Sequence, residues 1–80
     1  MNSAKYYANE TRAHILRGDR EAAIKSRNQA ENAAKRAARL ALNDGSLMMA
    51  MTAAREREHA VRARKYVSGE SIPRGRFNVT

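Results

Sequence analysis

In Glu56-Arg57-Glu58-His59, Glu56 stands three residues ahead of His59, a spacing that on a helix puts a carboxylate and an imidazole on one face. Glu10 and His14 form a second such pair, four residues apart. Helical bundles that hold two metal ions use two Glu-x-x-His motifs and two further Glu per site, a count that only a homodimer of this chain would reach. Glu58 is expected to point outward, and three flanking Arg would repel a cation. No metal site is therefore expected, and His59 is read as a surface residue. The sequence contains no Ser-His-Asp set, no Gly-rich phosphate loop and no Cys, which removes the usual bases for hydrolysis, nucleotide binding and acyl transfer. The expectation is a protein with no catalytic residue and no cofactor.

What remains is charge. Sixteen Lys and Arg against eight Asp and Glu give a net charge of +8, and most of the basic residues are Arg, whose planar fork suits phosphate and carboxylate. The excess is spread along the chain, so the fold must gather it if it is to act as one surface.

The elements that would do the gathering are helices. Asn2 or Ser3 can cap a first helix, residues 3–17, with Ala4, Tyr7, Ala8, Thr11 and Ile15 on one face and His14 at its edge. Gly18 suits its end and Asp19 the next cap. The second helix, residues 20–43, places Ala22, Ala23, Ser26, Ala30, Ala33, Ala34, Ala37, Leu40 and Ala41 on one arc. Lys25, Asn28, Gln29, Asn32, Lys35, Arg36 and Arg39 lie opposite. Ala23, Ala30 and Ala37 lack the usual large knobs, which lets a partner helix come nearer than about 8–10 Å. Asn43-Asp44-Gly45 predicts a tight reversal and Ser46 a third cap. The third helix, residues 46–68, is expected to bury Met49, Ala50, Ala53, Ala60, Ala63 and Val67. Arg55, Glu58, Arg62 and Lys65 should face outward, with Glu58 paired to Arg62. Residues 70–80 hold the only Pro and no helical period, so an extended or disordered tail is expected after a bundle spanning residues 1–69. The fold class is all-α: a small Ala-rich bundle of three helices running up, down and up, with completion by homodimerisation left open.

Gly18-Asp19-Arg20-Glu21-Ala22-Ala23-Ile24 followed by Ala30 resembles the turn and second helix of a tetratricopeptide unit, and Tyr7 sits where that repeat has its first aromatic. Glu10 and Arg27 depart from it, standing where the repeat has apolar residues, and a single unit makes no solenoid. The order of a short, a long and a third helix also resembles microtubule-interacting-and-trafficking modules and basic three-helix proteins of the small ribosomal subunit. The resemblance spans about half the chain.

Up-down-up order would bring Arg17, Arg20, Arg62, Arg64 and Lys65 to one pole, with Arg74 and Arg76 of the tail nearby. Nucleic acid, DNA or RNA, or a ribonucleoprotein is the first expected partner of that pole, and an acidic protein surface the second. At the other pole Leu47-Met48-Met49-Ala50-Met51 is apolar on every side of its turn. Leu47, Met48 and Met51 are therefore candidates for a protein interface, including a homodimer, unless Met48 and Met51 pack on Leu40, Leu42 and the first helix. Tyr6 and Phe77 are read as exposed and available to stack on bases beside Arg. No apolar run has the length of a signal or membrane segment, so the expected setting is cytoplasmic, without a membrane, and the Asn9 and Asn78 Asn-x-Thr triplets are read as chance. The composition suits a regulatory or accessory protein of a phage or other mobile element.

Overall fold

Ser3, Asp19 and Ser46 each turn a side-chain oxygen onto a backbone amide three residues on, accepting from Tyr6, Ala22 and Met49, and at these three points the chain enters a helix. The first turn of a helix leaves amides without intrahelical partners, and a Ser or Asp cap supplies one acceptor at each start. In a computed structural model, which describes residues 3–69, the helices are α1 (Ala4–Leu16), α2 (Arg20–Asp44) and α3 (Leu47–Ser68). Gly45 ends α2 with φ at 70°, a left-handed conformation that costs a residue with a Cβ, and its amide closes on the Ala41 carbonyl at 2.8 Å.

Three contacts far apart in sequence fix the order as up, down and up. The Ala4 amide meets Glu56, Arg62 meets Asn9, and Arg20 meets the Val67 carbonyl. Residues advancing along α1 thus meet residues advancing along α3, while the start of α2 lies against the end of α3. The described residues form an all-α three-helix bundle measuring 45 × 27 × 16 Å.

The core is almost entirely alanine. Ala4, Ala8, Ala30, Ala33, Ala60 and Ala63 form one buried cluster, with Tyr7 and Ala34 packed at its edge. Buried Thr11 spends its hydroxyl on the Tyr7 carbonyl four residues back, at 2.8 Å, and so brings no unpaired polar atom into this core. Side chains this small gain little from burial individually, and the stabilisation comes from close helix approach and intact backbone hydrogen bonding.

Several expectations for α3 need correction. Ala50 is exposed, not buried, and Tyr66 is buried although it was not placed on the inner face. The cause is length. At 1.5 Å per residue the 13 residues of α1 span about 20 Å, against about 37 Å for α2 and about 33 Å for α3. Starting level with Glu56, α1 covers the part of the α2–α3 hairpin nearest Tyr66 and leaves the part around Ala50 open. Glu58 does not pair with Arg62, which turns inward to α1. No helix among the described residues is long and apolar enough to cross a membrane. The expected tail, residues 70–80 with Arg74, Arg76 and Phe77, lies outside the described residues.

Candidate functional site

Glu56, the first half of the Glu-x-x-His motif, is occupied by the fold. Its Oε1 accepts the Ala4 amide at 2.7 Å, so the carboxylate sits on the N-terminus of α1, where the unpaired amides and the helix dipole both favour negative charge. His59 is half-buried one turn on, and its Nδ1 lies 3.0 Å from Arg62 Nη2. A guanidinium only donates, so Nδ1 is the acceptor and the imidazole is neutral in this arrangement. Burial, more than the neighbouring Arg62, holds the His59 pKa below its ordinary value; Lys5 adds to that, while Glu56 and Glu58 oppose it. The second pair, His14 Nε2 and Glu10 Oε1, stands at 3.7 Å on α1, with both residues partly buried. No three His, Cys, Asp or Glu side chains converge on a common point among the described residues.

The basic residues assemble in part. Arg17 and Arg20 flank the α1–α2 turn, Arg20 Nη1 donates to the Val67 carbonyl at 2.9 Å, and Lys65 lies in the last turn of α3, so these three do share one end of the bundle. Arg62 and Arg64 leave α3 in different directions. Arg62 reaches α1, donating to Asn9 Oδ1 at 3.4 Å and to the Tyr66 hydroxyl at 3.0 Å. Arg64 reaches α2, where its Nε lies 3.3 Å from Glu31 Oε2. Arg17 Nη2 is turned back onto His14 Nδ1 at 2.6 Å.

A second basic surface runs along the outside of α2. Lys25, Asn28, Gln29, Asn32, Arg36 and Arg39 fall within one arc of the helix, all exposed except the half-exposed Arg36. Glu21, one turn before Lys25, lies on the same arc and is exposed, whereas Glu31 lies off the arc and pairs with Arg64. The sequence showed the strip as the polar side of the second helix. What it did not show is that Glu31, off that arc, pairs with Arg64, because that depends on which helix lies next to it.

Opposite α1, the hairpin leaves an open groove of about 660 Å³ between α2 and α3. Its floor and walls include Ala34, Ala38, Ala53, Ala54 and Val61, its rim carries Glu31, Lys35, Arg57 and Arg64, and Leu42 stands at its far end. Beyond it, at the hairpin tip, Leu42, Leu47 and Met48 are 85%, 77% and 77% exposed, and Leu40 and Met51 are also exposed. Met48 is thus largely uncovered and Met51 about half covered. The groove was not anticipated, although Ala38 and Ala54, apolar residues lying off the expected buried arcs, were a visible sign of it.

Tyr6 is about half exposed and packs edge-on against Tyr7, the ring centroids 5.3 Å apart. No protein family, curated protein or solved structure matches the chain.

Proposed function

We propose that this chain is a small cytoplasmic, non-enzymatic accessory protein that binds nucleic acid, alone or within a ribonucleoprotein, and that the outer face of α2 is its principal phosphate-binding surface. The observation that carries the reading is the strip on which Lys25, Arg36 and Arg39 are interleaved with Asn28, Gln29 and Asn32, with Glu21, one turn before Lys25, as the one acidic side chain of that arc. Fourteen of the sixteen Lys and Arg fall among the described residues, and only Arg64 comes within 4.0 Å of a carboxylate there. Cations without internal partners release counterions when they meet phosphate, which is the main source of affinity for a polyanion. Amides between them can donate to phosphate oxygens or to base edges. Arg17, Arg20 and Lys65 extend the positive surface around the end of the bundle, while Arg62 and Arg64 are drawn into contacts between helices.

The test is direct titration of labelled duplex and single-stranded oligonucleotides with the parent and with Lys25→Gln/Arg36→Gln/Arg39→Gln. The parent should bind at low salt and the triple variant much more weakly, with the same helical circular dichroism. A parent that binds none of the oligonucleotides at low salt refutes the reading. A second reading, an adaptor or inhibitor acting on an acidic protein, is favoured by the uncovered Leu and Met side chains at the hairpin tip.

A further inference from the structure

The groove between α2 and α3 faces away from α1 and is separate from the outer strip of α2. From the geometry we infer that it is a docking site for one amphipathic helix of a partner protein, with large apolar residues on its buried side and Asp or Glu flanking them.

Shape gives the first half of that chemistry. On α2 the groove runs from Glu31 to Leu42, about 17 Å, and on α3 from Ala50 to Arg64, about 21 Å. That length takes three to four turns, about 11–14 residues of helix. Both walls are made mainly of alanine, so a space of about 660 Å³ remains between two helices that are already in contact. Large knobs on an incoming helix, Leu, Ile, Met or Phe spaced i, i+3 or i+4, and i+7, fill such a space, and small walls let its backbone approach. The occupant completes a four-helix arrangement on the face of the hairpin opposite α1.

Charge gives the second half. Lys35 and Arg57 stand on the rim with no carboxylate of the described residues within 4.0 Å, and Arg64 is offset by Glu31, so the rim is net positive. Acidic residues beside the occupant's apolar positions match that rim and match a chain of net charge +8. A second copy of this chain is the poorer occupant. Two grooves brought face to face would set Lys35, Arg57 and Arg64 against their own copies.

The probe is a displayed library of helices of about 15 residues, varied among large apolar residues at the inner positions and among Asp, Glu, Lys, Arg and Gln at the flanks. Selection on the full chain should enrich large apolar residues at helical spacing together with an excess of Asp and Glu over Lys and Arg. Ala38→Leu/Ala54→Leu, which fills the groove from two exposed positions, should weaken a selected peptide by about tenfold or more while oligonucleotide binding is unchanged. Lys35→Glu/Arg57→Glu changes only exposed side chains and should turn selection toward basic helices, giving an independent readout if the filled variant does not fold. Failure to enrich any helix, enrichment without acidic bias, or a selected peptide indifferent to both variants overturns the proposal. So does a parent that sediments as a dimer which the filled groove converts to a monomer, for the occupant is then a second copy. Loss of oligonucleotide binding in the filled variant would assign the groove to nucleic acid and overturn it as well.

Discussion

Glu56 Oε1 accepts the Ala4 amide at 2.7 Å across 52 residues of sequence, so α3 supplies part of the N-terminal cap of α1. Ser3 serves the Tyr6 amide by a longer contact of 3.4 Å, which leaves Glu56 as the tighter of the two caps. A carboxylate at a helix N-terminus gains from hydrogen bond and dipole together. Glu56→Ala should therefore cost about 1–2 kcal/mol in chemical unfolding, and Glu56→Gln, which keeps an acceptor but not the charge, should fall between parent and Ala. Hydrogen exchange should rise first in the opening turn of α1. An Ala variant as stable as the parent would show the bond to be incidental.

Ala30 and Ala38, two turns apart on α2, differ in the space around them. Ala30 is fully buried between helices, whereas Ala38 borders the open groove. Ala30→Leu should overpack the core at a cost of about 1–3 kcal/mol, while Ala38→Leu should stay within about 0.5 kcal/mol of the parent. Ala37→Leu, at a half-buried position, should lie between them. Equal melting temperatures for all three would mean that close approach of the helices does not depend on alanine at position 30.

Local chemistry accounts for what the sequence made legible. Ser3, Asp19 and Ser46 cap the helices, Gly45 and Gly69 close two of them in left-handed conformations, and Ala23, Ala30 and Ala33 lie on the buried arc of α2 as their spacing indicates. Partners across helices were not legible. A helical wheel tells which residues share a face, but not how far a neighbouring helix extends, so Ala50 was placed inside and Tyr66 was not. Lateral reach decides the charged residues in the same way. Arg62 bonds to Asn9 and Arg64 pairs with Glu31 because α1 lies on one side of α3 and α2 on the other. Glu56 has the Glu-x-x-His spacing of a metal-binding pair, but the sequence could not show that its carboxylate meets the start of α1.

His59 tests the electrostatics of that same region. Its pKa is held below the ordinary imidazole value of 6.5 first by burial and then by Arg62. The unfolded chain thus takes up the proton at a higher pH than the folded chain does. Folding stability is highest above pH 6.5 as far as this group is concerned, and declines as the pH falls from there through the folded value. Proton NMR should show the His59 ring titrating below 6.5. Arg62→Gln should move its midpoint upward without restoring it fully, since burial remains. A midpoint unmoved by the substitution would remove Arg62 as a cause and leave burial with Lys5.

Met48 and Met51 lie exposed at the hairpin tip. Changing both to Gln should leave helicity intact and stability within about 0.5 kcal/mol, because neither side chain contributes to the core. The same change should abolish self-association or capture of a protein partner by this end of the molecule. Sedimentation at rising concentration and pull-down behaviour identical to the parent's would show the pair to be bare surface.

The dependence of oligonucleotide affinity on salt separates the two basic surfaces. Each phosphate contact contributes about 0.9 to the slope of log affinity against log salt for duplex DNA and about 0.7 for a single strand. If Lys25, Arg36 and Arg39 each meet a phosphate, Lys25→Gln/Arg36→Gln/Arg39→Gln should flatten the duplex slope by about 2.7 and weaken many sequences by similar factors. Arg62→Gln/Arg64→Gln/Lys65→Gln removes the same formal charge from the end of the bundle. Arg62 is held by Asn9 and Tyr66 and Arg64 by Glu31, so this second variant should flatten the slope by only about one contact, that of Lys65. Equal slopes for the two variants would mean that the whole positive surface acts as a diffuse field, with no preference for the outer face of α2. A larger loss from the second variant would move the phosphate site to the end of the bundle, where Arg17, Arg20 and Lys65 gather.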